Sequence, residues 1–181
     1  MMPSDQPIIS LRPCSNTPED LILLEQISRA TFLETFADSN SAENMSRYLT
    51  ENMSEDKLRT ELSNDQSAFF LAEADTNVIG YMKINQGSAQ TENKYEHALE
   101  IERIYVLHSY HGKGIGKMML DFAMEHARSM KADVVWLGVW EHNLRAISFY
   151  RKNGFVTFDQ HIFMLGDDRQ IDIMLKKQVN T

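Results

Sequence analysis

The chain has 181 residues, 43% of them apolar, enough for one compact domain with a sizeable core. Its 26 acidic residues outweigh 18 Lys and Arg, and the resulting formal charge of -8 argues against nucleic acid as a partner, because phosphate binding needs a basic footprint. The longest strongly apolar run, "VVWLGVW" at 134–140, is too short to cross a bilayer, and the lone Cys14 allows neither a disulfide framework nor a cysteine metal cluster.

The chain opens on "MMPSDQPIIS", which carries neither a basic segment nor an apolar signal core and so predicts a cytoplasmic location. "PIISLRPC" alternates as a first strand that Pro13 can close. In "TPEDLILLEQISRATFLETFAD", Thr17 is placed to cap a helix, with Pro18 at the first helical position and Asp20 three residues after the cap. Leu21, Leu24, Ile27, Ala30, Thr31 and Leu33 fall near one face, and Phe32 and Phe36 form a second pair at helical spacing. Two shorter helical patterns, "SAENMSRYL" and "SEDKLRTELS", each open on a serine. "SAFFLAEAD" and "NVIGYMKIN" read as strands joined in a tight hairpin by Thr76 and Asn77. After the polar loop "QGSAQTENK", a long strand in "YEHALEIERIYVL" delivers the chain to a glycine-rich stretch. "GKMMLDFAMEHARSM" is then a helix with a broad apolar face, "DVVWLGVW" a buried strand, and "NLRAISFYRKN" a second amphipathic helix stopped by Gly154. "FVTFDQHIFML" and "RQIDIMLKK" close the chain as strands around Gly166, Asp167 and Asp168. This order predicts an α/β (α+β) domain over residues 1–181, with helices flanking a mixed sheet.

The stretch "HSYHGKGIGKMML" carries the first chemistry. A strand that enters a glycine turn and then a helix makes an anion site, because bare backbone approaches the ligand and the first helical N–H groups point at it. Lys113 and Lys117 add positive charge. A P-loop would need Gly where His111 stands and a hydroxyl where Met118 stands; a dinucleotide fingerprint would need Gly at Lys117 or Met119. Both fail, which leaves a phosphate or pyrophosphate cradle of another kind. His108 and His111 have no third ligand at a recognisable spacing, so no metal site is expected.

"YHGKGIGKMML" resembles the acyl-CoA-binding signature of the GNAT superfamily of N-acetyltransferases, Gln/Arg-x-x-Gly-x-Gly/Ala, with Gly114 and Gly116 at its glycine positions. Downstream, "VWEHNLRAISFYRKNGF" is similar to that family's Asn-x-x-Ala-x-x-Phe-Tyr helix and its Asn-Gly-Phe exit. "ATFLETFADSNSAENMSRYL" and "LEIERIYVL" further resemble the bacterial branch that acetylates spermidine, spermine and related amines. His111 stands where the family usually has Gln or Arg; a histidine ring N–H can also donate to a phosphate oxygen, and protonation would strengthen that contact. The resemblance implies a mostly antiparallel central sheet, acetyl-CoA as co-substrate and no metal. It also implies a cofactor site made of Ile104, Tyr105, Val106, His111, Gly112, Lys113, Gly114, Ile115, Gly116, Lys117, Asn143 and Tyr150. Within that set, the backbone of Ile104–Val106 would bond the pantetheine arm where the family's strand is bulged and splayed.

Acetyl transfer to an amine requires the amine to lose a proton, the thioester oxygen to meet a donor, and the departing thiolate to gain a proton. Glu100 and Glu102 share one face of "LEIERIYV", with Leu99 and Ile101 opposite, and could draw in a cationic amine and take its proton. An exposed strand face, or an ion pair with Arg103 or a lysine elsewhere, is the competing reading. Tyr150 is the candidate acid: Asn143 can cap the second helix, and Ala146 and Tyr150 follow on the same face. Phe149, Trp136 and Trp140 read as packing residues, Cys14 as a small buried residue and the methionines as core filler. From the family's usual layout, Phe32, Phe36 and Glu34 would wall the acceptor pocket. The expected partner is a small cationic amine, most plausibly a polyamine. A peptide N-terminus or lysine as acceptor, a non-catalytic acetyl-CoA-binding regulator, and a homodimer are the readings held beside it.

Overall fold

In the computed structural model, residues 7–179 are described; residues 1–6, on which the reading of the chain start largely rests, lie outside them. Capping side chains set the helix starts. Helix α1 (Pro18–Phe36) begins where the Thr17 hydroxyl accepts from the Asp20 N–H at 3.3 Å, and Pro18 gives up no hydrogen bond at that position. Ser41 and Ser54 cap α2 (Ala42–Asn52) and α3 (Glu55–Leu62) in the same way. Helix α1 buries Leu21, Leu24, Ile27, Thr31, Phe32 and Phe36. Leu33, expected on that stripe, is instead 42% exposed. At 3.6 residues per turn it lies about 120° past Leu21, away from the buried arc.

Seven strands form one sheet in the order β1-β2-β3-β4-β5-β7-β6. They are β1 (Ile9–Pro13), β2 (Ser67–Ala74), β3 (Asn77–Gln86), β4 (Ala98–Val106), β5 (Val134–Trp140), β6 (Val156–Leu165) and β7 (Asp168–Gln178). Every neighbouring pair is antiparallel except β4 and β5. The element order is the one the sequence predicts, but the first hairpin turn sits one residue earlier and the second is one residue shorter than expected. Ala74 pairs with Asn77, so Asp75 and Thr76 make the first turn; aspartate tolerates the left-handed φ of 55° found there. Leu165 pairs with Asp168, so the second turn is Gly166 and Asp167, with Gly166 at φ 61°.

Helices α4 (Ile115–Ser129) and α5 (Leu144–Lys152) cover one sheet face, where Met119, Leu120, Ala123 and Ile147 pack on Leu99, Ile101, Val135 and Leu137. Helices α1, α2 and α3 cover the other through two clusters. One holds Leu21, Leu24, Leu58 and Tyr81; the second holds Phe32, Phe36, Met45 and Leu49, with Tyr48, Tyr105, Trp140 and Phe163 against it. Among the described residues, no helix is long and apolar enough to cross a membrane.

A buried ion network also ties α3 to the sheet. Glu61 meets Lys83 of β3 at 3.0 Å and Arg103 of β4 at 2.9 and 3.1 Å. Removing one partner from such a network leaves buried charge uncompensated, whereas an exposed pair adds little. Urea unfolding should therefore find Glu61→Ala less stable by about 3–5 kcal/mol. Asp167→Ala, which breaks the Arg47 pair at a residue 82% exposed, should change stability by less than about 1 kcal/mol.

Candidate active site

The parallel contact between β4 and β5 lasts only from Ala98–Glu100 against Val134–Trp136. Beyond it, Ile101–Val106 pair with β3 alone and Leu137–Trp140 with β7 alone, so a gap opens in the middle of the sheet. A local bulge accompanies it. It interrupts the β3–β4 register where Lys83 pairs with Arg103 but Ile84 pairs with Ile101, which leaves Glu102 as the extra residue. The bulge turns Arg103 and Tyr105 to the face that carries Glu100 and Glu102, while Ile104 and Val106 pack toward α4.

The edge of β4 along the gap has backbone to offer. The Leu107 N–H donates to Ile79 O at 2.9 Å, so by the two-residue alternation of the ladder Tyr105 also turns its N–H toward β3. Ile104 and Val106 turn theirs into the gap. Of the three backbone positions expected to serve a ligand, only these two face it.

At the end of β4 the chain makes a short turn, and Gly112 and Gly114 adopt φ of 78° and 81°. The first helical bond of α4 runs from the Met118 N–H to Gly114 O at 3.0 Å. Among the described residues, the N–H groups of Gly112, Lys113, Gly114, Ile115, Gly116 and Lys117 make no backbone hydrogen bond outside the helix, and those of Ile115, Gly116 and Lys117 precede the first helical bond. A Cβ on Gly112 or Gly114 would meet open space, so the left-handed backbone is what demands glycine there. Gly116 lies within the first turn of α4 and a Cβ on it would make an ordinary 3.8 Å contact with Phe149. The lysines lean aside: Lys113 lies over the Tyr110 ring at 4.5 Å, and Lys117 is paired with Asp121 one turn along α4.

His111 does not present a ring N–H to this cradle. Its Nε2 donates to Val106 O at 2.6 Å, and Nδ1 takes a bond from the Arg145 guanidinium. Both nitrogens are engaged in a way that fits neutral imidazole. Burial, and then the charge of Arg145, lower its pKa against the pull of the Val106 bond. Arg145 thus ties the start of α5, through His111, to the end of β4, a link that the sequence reading missed.

On α5, the Asn143 side chain accepts from the Ala146 N–H at 3.1 Å and so is spent as the helix cap. Tyr150 is buried beside Phe149 and Phe155, and its hydroxyl has no hydrogen-bond partner among the described residues. That hydroxyl is nonetheless not sealed from solvent. Burial pushes the phenol well above its ordinary pKa, so it stays protonated at neutral pH.

Glu100 and Glu102 do share a face, and both accept from the Asn85 amide, at 3.1 and 2.6 Å. Neither is free. Glu102 binds Lys83 at 2.6 Å and Arg103 at 3.1 Å. Burial alone would raise its pKa, but Arg103 and Lys83 together hold it below the usual glutamate value. Glu100 is 2% exposed and accepts from the Thr91 N–H at 2.8 Å and from its hydroxyl. Burial raises its pKa against those bonds. The competing ion-pair reading therefore describes Glu102, and both carboxylates hold β4 to β3 and to the loop before it. Phe32 and Phe36 do line the second cluster of the α1 face, whereas Glu34 is turned away to accept from the His108 N–H at 2.8 Å.

The remaining polar groups on this face come from the last hairpin. His161 and Asp172 are cross-strand partners of β6 and β7, with Glu92 of the preceding loop beside them. Counting back along both strands from the Gly166–Asp167 turn would have placed these two opposite each other.

Because Glu102 is ionised by its partners, its contribution to stability is complete above the unfolded glutamate value of about 4.3 and is lost as pH falls through its lower folded value. The stability gap between wild type and Glu102→Gln should be widest above pH ~5 and narrow steadily below pH ~4 in denaturant titrations. A constant gap across that range would contradict the pairing.

Residues 25–155 match the family model described as "Acetyltransferase (GNAT) family". The chain is 44% identical over 159 residues to an uncharacterized N-acetyltransferase from the pepI 3' region of Lactobacillus delbrueckii subsp. lactis, covering 88% of this chain and 92% of that one. It is 32% identical over 148 residues to a spermidine N(1)-acetyltransferase of Thermoplasma acidophilum, covering 78% and 85%. The crystal structure of a PaiA N-acetyltransferase from Thermoplasma acidophilum, in complex with coenzyme A, superposes with a TM-score of 0.76 at 28% identity over 94% of this chain and 99% of that one. The chain belongs to the GNAT family of acetyltransferases and is an N-acetyltransferase.

Proposed function

We propose that the protein moves an acetyl group from acetyl-CoA to a primary amine of a small polycationic acceptor such as spermidine or spermine. The observation that carries this reading is the gap between β4 and β5 together with the unpaired N–H groups of the turn and first residues of α4 that follow β4; the buried, unpartnered Tyr150 hydroxyl on α5 supports it. In this reading the N–H groups of Gly112–Lys117 take the pyrophosphate, aided by the α4 dipole. The pantetheine arm lies in the gap along Ile104 and Val106, whose N–H groups also face the thioester oxygen as it gains charge. Tyr150 gives its proton to the departing sulfur. Asn143 fixes the start of α5 and, through it, Tyr150; His111 and Arg145 brace the two helices against β4.

Support for a polycationic acceptor comes from the -8 charge of the chain, from carboxylates such as Asp172 and Glu92 on the α1 face of the gap, and from the spermidine acetyltransferase among its relatives. Aromatic rings of Tyr48, Trp140 and Phe163 border the same face and suit the methylene stretches between amines. Because Glu102 and Glu100 are both engaged, deprotonation of the amine falls to another group.

Gly116→Ala separates ligand from fold, since its Cβ makes only an ordinary contact in the folded chain. It should keep wild-type thermal stability yet weaken CoA binding in calorimetric titration; unchanged affinity would remove the cradle assignment. Tyr150→Phe should keep CoA affinity and lower kcat by about 10²–10⁴-fold.

The acceptor is tested with a panel of amines and acetyl-CoA, following release of free thiol. Spermidine and spermine should exceed monoamines in kcat/KM at low salt, and the margin should shrink as salt screens the carboxylates. Equal efficiencies at low salt would remove the polyamine claim and leave acetyl transfer intact.

A further inference from the structure

The final hairpin sets a histidine that none of the roles above uses beside the carboxylate of Asp172. His161 stands directly across from Asp172, with Nε2 3.6 Å from Oδ2, and Nδ1 lies 3.8 Å from Glu92 Oε1. Neither ring nitrogen makes a hydrogen bond with the described residues; Nδ1 is sealed from solvent, and Nε2 is not. The ring leans over Gly138 of β5, the strand that borders the gap: a Cβ there would come within 3.2 Å of His161 Cε1 and 3.3 Å of Asp172 Oδ2. The missing side chain at Gly138 thus leaves room for an imidazole next to the gap.

We propose that His161 is the proton acceptor for the amine, with the Asp172 carboxylate beside Nε2 to draw in the ammonium and stabilise the imidazolium; this rests on the acetyl-transfer reading above. An N–H bond of the substrate ammonium breaks and one forms at His161 Nε2, and the electron pair stays on the amine nitrogen for attack on the thioester carbonyl. The imidazolium then lies between the carboxylates of Asp172 and Glu92. Asp159 on β6 and Lys94 on the loop, paired at 2.8 Å, complete the charged groups around it. The proton leaves to water from the ring, which is 24% exposed.

The test compares the pH dependence of kcat and kcat/KM for wild type, His161→Gln and Asp172→Asn, together with CoA affinity. His161→Gln should lower kcat by about 10²–10⁴-fold, remove the ionisation that limits wild type on the acid side, and leave CoA affinity unchanged. Asp172→Asn should move that ionisation and keep it. Added imidazole should restore part of the rate to His161→Ala. Wild-type kcat and pH profile in His161→Gln would overturn this role alone. So would a His161→Ala that binds CoA normally but is not rescued. Absence of thiol release from wild type with every amine would overturn acetyl transfer, and this role with it.

Discussion

Everything functional in this molecule depends on β4 and β5 ceasing to pair after three residues. A parallel pair continued to the strand ends would consume the N–H groups of Ile104 and Val106 and close the sheet. Instead β4 bulges at Glu102, and its last residues pair with β3 alone. The helices of one face are placed accordingly: α4 starts just beyond the end of β4, and α5 follows β5 on the same face. Their sequences supply what those positions require. Gly112 and Gly114 take a left-handed backbone that other residues resist, and Asn143 ends the search for a partner for the first α5 N–H groups.

The buried charges on the α1 face serve this geometry more than the chemistry. Glu61, Lys83, Glu102 and Arg103 form a compensated set, with Asn85, Glu100 and Thr91 continuing it to the loop before β4. A bulge carries unpaired backbone and a misdirected side chain, and in this chain the side chain is an anion clasped by two cations. Such a set adds little net stability over an apolar core but is costly to break. It fixes which residue is the extra one, and so the direction in which β4 leaves the sheet.

Much of this was legible in the sequence because local rules dominate. Thr17, Ser41 and Ser54 announced three helix starts, and the glycines between β4 and α4 announced a turn that needs a left-handed backbone. The same rules misled by one residue where Asp75 takes a conformation that glycine or asparagine more often supplies. Long-range partners were not legible. Nothing local to Glu102 reveals Lys83 or Glu61, and nothing around His111 reveals that Arg145, 34 residues on, occupies its second nitrogen. Glu100 and Glu102 were placed on one face, yet their availability depended on Lys83 and Asn85 of β3 and on Thr91 of the loop before β4. His161 and Asp172 were within reach of hairpin arithmetic, but only with the turn placed at Gly166–Asp167.

The central claim is that the opened edge of β4 and the first turn of α4 together receive the cofactor. Amide hydrogen exchange with and without CoA reads those groups one by one. The account predicts added protection at Ile104, Val106 and Gly112–Lys117, with the β2–β3 hairpin turn at Asp75 unaffected. CoA binding that leaves Ile104, Val106 and the glycine turn exchanging as before would contradict it.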